Sequence, residues 1–138
     1  MTKIKFDIQL MKFMTLFESI TRSKVKDVIK TDDQLIFIVN PGEIGRAIGK
    51  KASNIKKLEK AFKRDVRVVE YSDELENFVR NVIIPLKAEQ IDINDRTVTI
   101  KSPDTKTRGY LIGRGGSRLR HYESIVKRYF DIDEIKVV

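Results

Sequence analysis

Apolar residues near the start of the chain recur at helical spacing, with Leu10, Phe13, Met14, Phe17 and Ile20 on one face. That spacing predicts an amphipathic helix. KVKDVIK (24–30) and LIFIVN (35–40) then read as strands, joined by the turn residues of TDDQ and closed by Pro41-Gly42. A short helix is expected around Ile44 to Ile48. After a glycine turn a longer helix follows, with Ser53 as its N-cap and Ile55, Leu58, Ala61 and Phe62 as an apolar stripe opposite lysines. VRVVEY (66–71) reads as the third strand.

The same order then restarts. Ser72 or Asp73 is expected to cap a helix in ELENFVRNVI, with Leu75, Phe78, Val79 and Val82 on one face. EQIDIN and RTVTIK alternate around Asn94-Asp95, a hairpin signal. Pro103 ends that pair, TRGYLI (107–112) supplies a short helix, and a second glycine turn begins at Gly113. The helix beyond it carries Leu119, Tyr122, Ile125 and Val126, matching the first stripe at a constant offset of 64 residues. EIKVV closes the chain, mirroring VRVV after a five-residue lengthening. Each unit is therefore expected to run helix, strand, strand, helix, turn, helix, strand. The boundary falls near Tyr71–Ser72, giving domains 1–71 and 72–138; it has no linker composition, which predicts two rigidly packed units.

Charge sharpens the picture because of where it lies. The 138-residue chain carries a net +8. Residues 43–64 hold eight basic residues against two acidic ones, and residues 106–128 hold seven against one, so the rest of the chain is net acidic. The positive excess sits on the repeated turn and the helix after it, a field that attracts polyanions, nucleic acid first.

The turn has the parts of a phosphate clamp. IGKKASNI (48–55) and IGRGGSRL (112–119) each place a Gly where a short helix ends. Gly permits φ > 0 and a close backbone approach, and the next helix aims its free N–H groups at the same spot. Lys50, Lys51 and Arg114 add full charges. These residues resemble the KH domain, whose GxxG loop grips about four nucleotides of single strand. Gly113-Arg114-Gly115-Gly116 matches that motif fully, whereas Gly49-Lys50-Lys51-Ala52 has Ala in place of the closing Gly. A helix and hairpin ahead of the motif resemble the type II arrangement. The tandem, which covers nearly the whole chain, looks like the archaeal NusA-type transcription factors.

The resemblance implies an α/β (α+β) fold: two tandem type II KH domains, each a three-stranded mixed sheet covered by helices. It implies that Gly49–Ala52 and Gly113–Gly116 face an RNA backbone along a continuous basic surface. Ile48, Ile55, Ile112 and Leu119 would line an aliphatic base groove, with Lys56 or Arg118 at its rim and Asn54 and Ser117 in the same segments. Ala52 leaves two readings open. Either the first clamp works with a slightly altered fit, or the position needs φ > 0, Ala is strained there, and the first unit is mainly structural.

Other classes fit less well. Gly45 to Lys50 resembles a P-loop only superficially: three residues separate the glycines instead of four, and Lys51 stands where Ser or Thr should hold magnesium. One histidine, His121, and no cysteine leave metal and acid–base catalysis without parts, so no enzyme, cofactor or metal is expected. The expected partners are single-stranded RNA and the RNA polymerase elongation complex, for a cytoplasmic monomer in transcription termination or antitermination. Ribosomal RNA binding or ribosome assembly is the alternative, which co-purification separates. No apolar run approaches membrane-spanning length, and the N-terminal acids argue against a signal peptide.

Overall fold

The computed structural model describes the backbone of residues 2–138 and the side chains of residues 8–138. The protein is α+β, with two three-stranded mixed sheets and helices, and falls into two compact units, Met1–Tyr71 and Ser72–Val138.

The first unit runs α1 (Thr2–Thr21), β1 (Val25–Lys30), β2 (Gln34–Val39), α2 (Ile44–Ile48), α3 (Ser53–Phe62) and β3 (Asp65–Glu70). β2 is central, antiparallel to β1 and parallel to β3. Its run Leu35–Val39 is fully buried, which is why it reads as continuous apolar sequence without alternation. Leu35, Phe37 and Val39 share a core with Phe17, Val28, Ala47, Leu58 and Val66. Phe17 stacks on Phe37 at 4.2 Å, and Phe62 joins through Phe37 and Phe13. The expected α1 stripe lies on this core, Phe17 buried and Leu10, Phe13, Met14 and Ile20 packed around it. Ala61 departs from its expected stripe and is exposed.

The second unit runs α4 (Leu75–Ile83), β4 (Gln90–Asn94), β5 (Thr97–Lys101), α5 (Thr105–Ile112), α6 (Ser117–Lys127) and β6 (Glu134–Val137). β5 is central, antiparallel to β4 and parallel to β6. Here burial alternates, Val98 and Ile100 in and Thr97 and Thr99 half-buried, as the TVTIK pattern dictates. Phe78, Val79, Val82, Ile83, Leu111, Tyr122, Ile125 and Val126 are the buried helical residues of this unit.

Three expected boundaries move. The two-residue hairpin loop is Asp95-Arg96, with Asn94 paired to Thr97, because Asp95 takes the positive φ of 54°. α4 begins at Leu75 after Glu74; Ser72 instead accepts a hydrogen bond from the Glu74 N–H at 3.2 Å. α5 starts two residues before TRGYLI, because the Asp104 carboxylate accepts from the Thr107 N–H at 2.6 Å and caps it there.

The internal repeat extends to hydrogen bonds. Glu59 accepts from the Val66 N–H at 3.1 Å, and Glu123, 64 residues on, accepts from the Ile135 N–H at 2.8 Å. Each helix thus ties its own carboxylate to the strand that follows. The five extra residues of the second unit lie between that helix and that strand. Arg96 fastens them, with ion pairs to Asp131 at 2.8 Å and Asp133 at 2.9 Å. Among the described residues, no helix is long and apolar enough to cross a membrane.

Candidate nucleic-acid interface

Both units bend the chain alike between the short helix and the next one. The Gly49 N–H closes α2 on the Gly45 carbonyl, and the Gly113 N–H closes α5 on the Gly109 carbonyl, both at 2.9 Å. Gly49 (φ 79°, ψ 168°) and Gly113 (φ 73°, ψ 177°) occupy a region that only glycine enters cheaply. Space forbids a side chain as well. A Cβ on Gly49 would stand 2.9 Å from Asn54 Cγ, and one on Gly113 would stand 2.7 Å from Arg118 Cβ. A single 3-10 turn follows in each unit, Lys50–Ala52 and Arg114–Gly116. Ala52 N–H to Gly49 O and Gly116 N–H to Gly113 O close these turns, each at 3.2 Å.

The last two loop positions are left-handed in both units. Lys51 and Ala52 have φ of 54° and 59°, where Gly115 and Gly116 have 63° and 79°. Ala52 therefore takes positive φ and is strained there, yet the first loop keeps the left-handed path of the second. Two adjacent non-glycine residues hold that conformation at a cost of about 1 kcal/mol each. Burial of Ala47 on α2 and Leu58 on α3 anchors the helices on either side and fixes the path between them. Ser53 is consequently not the N-cap: it is already helical (φ −60°, ψ −38°), and Ala52 stands in the capping position without a side-chain hydrogen bond.

The side chains around each loop present positive charge beside aliphatic surface. Lys50, Lys51, Lys56, Arg114, Gly115, Ser117 and Arg118 are exposed. Ile48, Ile55, Ile112 and Leu119 are half-buried next to the loops, as are Gly49, Ala52, Asn54, Gly113 and Gly116. Neither loop contains an acidic residue, and α3 and α6 start there with the positive end of their dipoles. The arrangement can hold an anion against a helix start while apolar groups lie alongside. At the start of α5 the hydrogen bond from the Thr107 N–H holds the Asp104 carboxyl below its ordinary value.

The two residues expected at the groove rim do not occupy equivalent positions in the repeat. At the offset of 64, Lys56 corresponds to Arg120, and Arg118 corresponds to Asn54. Arg118 Nη1 donates to the Tyr110 carbonyl at 3.1 Å, while Arg120 Nη1 donates to the Gly115 carbonyl at 3.0 Å. Arg120, absent from the expected site, is thus the residue drawn over the second loop. Its signal was the repeat itself, which places it opposite Lys56. Tyr110, 48 % exposed, stands outside the core beside the same loop.

A helix–loop–helix with this backbone beside a three-stranded mixed sheet, seen in each unit, is consistent with the KH class of RNA-binding domains, whose GxxG loop clamps a single-stranded backbone. The sequence model of the KH domain matches residues 14–102, a span that includes the first loop and ends before the second. A probable transcription termination protein NusA of Methanocaldococcus jannaschii is 30% identical over 141 residues, covering 100% of this chain and 77% of that protein. Its counterpart in Halobacterium salinarum is 29% identical over 136 residues, covering 97% of this chain and 98% of that one. The crystal structure of APE1850 superposes with a TM-score of 0.80 at 31% identity, covering 95% of this chain and 99% of that one. The chain belongs to the KH-domain family, as an archaeal NusA-type KH protein.

Proposed function

We propose that this protein is a non-enzymatic, single-stranded RNA-binding factor of transcription termination or antitermination, built from two tandem type II KH domains, 1–71 and 72–138. Gly49–Ala52 and Gly113–Gly116 each grip the sugar-phosphate backbone. Lys50, Lys51 and Arg114 supply charge, and Ile48, Ile55, Ile112 and Leu119 receive unstacked bases. Lys56 and Arg120 flank the two grooves. The RNA polymerase elongation complex is the proposed setting, in the cytoplasm. The observation that carries this reading is the shared loop backbone, left-handed at the same two positions in both units despite different residues. The relatives named as termination proteins support the transcriptional role.

The test is fluorescence anisotropy with a single-stranded RNA of about a dozen nucleotides across a salt series, using Lys50→Glu, Arg114→Glu and both together. Two working clamps predict that each single variant weakens binding, that the pair weakens it further, and that the salt slope falls. Loss only with Arg114→Glu would leave the first unit as a structural partner, and no binding by the wild type at low salt would refute the reading. Gly115→Asp is expected to weaken binding with the fold intact. No atom lies within 4 Å of a Cβ there, and Asp tolerates the left-handed region.

A further inference from the structure

The last carbonyls of a helix have no partner within it, and a helix stopped by a sharp turn must find one elsewhere. In the first unit the Arg46 carbonyl, near the end of α2, accepts from Asn54 Nδ2 at 2.8 Å. In the second, the Tyr110 carbonyl near the end of α5 accepts from Arg118 Nη1 at 3.1 Å. Donor and acceptor are each displaced by 64 residues, so one bond is made twice by unlike side chains. The same two side chains lie over the first glycine of each loop. Asn54 Cγ would be 2.9 Å and Arg118 Cβ 2.7 Å from a Cβ added to Gly49 or Gly113.

We infer that Asn54 and Arg118 are positioning residues: each staples the helix before its loop to the helix after it and so holds the loop in its RNA-gripping shape. This rests on the RNA-backbone reading above, and it changes the part played by Arg118. The guanidinium acts through its hydrogen-bond donor toward Tyr110, while the phosphate charge comes from Arg114. Asparagine, which carries no charge, makes the equivalent bond in the first unit. Glycine at positions 49 and 113 therefore serves the staple as well as the turn.

The experiment uses the full chain with Arg118→Ala and Arg118→Asn, the second transplanting the donor of the first unit. Affinity for a single-stranded RNA of about a dozen nucleotides is measured across salt. Amide hydrogen exchange at Gly113 and Gly116 is followed in the RNA-free protein. A lost hydrogen bond predicts roughly fivefold weaker binding for Arg118→Ala, with an unchanged salt slope and roughly fivefold faster exchange. Arg118→Asn is expected to return both readouts to within about twofold of wild type, by the same single-bond scale. If Arg118 instead contacts phosphate, both variants lose affinity and the salt slope drops by about 0.7, which overturns the inference. Unchanged exchange in Arg118→Ala overturns it too. Should the wild type bind no RNA, the functional reading fails while the exchange data still decide whether the staple orders the loop.

Discussion

Gly49-Lys50-Lys51-Ala52 and Gly113-Arg114-Gly115-Gly116 differ at three of four residues and yet trace one path. Their first glycines have φ of 79° and 73°, their third residues 54° and 63°, and their fourth 59° and 79°. The difference shows which loop features the fold imposes and which the residues merely make cheaper. A side chain at the first position collides with the next helix, so glycine is kept in both units. At the third and fourth positions the constraint is only the left-handed backbone. The anchored helices carry that cost in the first unit, and glycine removes it in the second. The second loop keeps one charge at these four positions where the first has two lysines.

The comparison breaks most sharply at the first glycine. Gly113→Ala combines a φ of +73° with a Cβ 2.9 Å from the Arg118 backbone nitrogen, so denaturant unfolding should show a loss of about 3 kcal/mol or more. Gly115→Ala, with open space around it, should lose only about 1 kcal/mol in the same assay. Equal losses at the two positions would refute the steric distinction.

The fourth position offers a reciprocal exchange. Ala52→Gly is expected to raise stability by about 1 kcal/mol and Gly116→Ala to lower it by a similar amount. RNA affinity of Ala52→Gly should be preserved or improved, measured alongside. A destabilised Ala52→Gly would mean that the left-handed backbone at that position is not strained.

The smallest effect concerns the short helices. α5 is capped by Asp104, whereas α2, at five residues, has no side-chain cap. The Asp104 carboxyl is held below its ordinary value of 3.8, chiefly by the hydrogen bond from the Thr107 backbone N–H. A depressed carboxylate stabilises the fold fully above the unfolded value and loses that contribution as pH falls through the folded one. Acid titration below about pH 4 should therefore narrow the stability gap between wild type and Asp104→Asn. A gap that stays constant into acid would remove the cap's electrostatic part.

Local patterns made much of this legible. The β2 run of five buried apolar residues and the alternation of β5 announced their strands, and the 64-residue offset announced the duplicated helices. Boundaries set by one hydrogen bond were less visible. Asp104 lengthened α5, and Asp95 moved the hairpin loop by one residue; both depend on a side chain or dihedral that competes with equally plausible neighbours. Ser53 looked like a cap because capping preferences are local, but the loop had already turned left-handed before reaching it. The separate parts of Arg118 and Arg120 are not legible in the sequence, because arginines two residues apart on a helix look alike until their directions are known.

By itself the sequence determined the elements, their order, the duplication, the placement of charge and the two glycines on which the turns depend. These follow from periodicity and from the unique freedom of a residue without a Cβ. Tertiary structure decided that Lys51 and Ala52 are left-handed, and that Asn54 and Arg118 reach back to the preceding helix while Arg120 reaches over the loop. Those outcomes depend on where two packed helices are held relative to each other. That spacing is set by core residues such as Ala47 and Leu58, far along the chain from most of the groups they pack against.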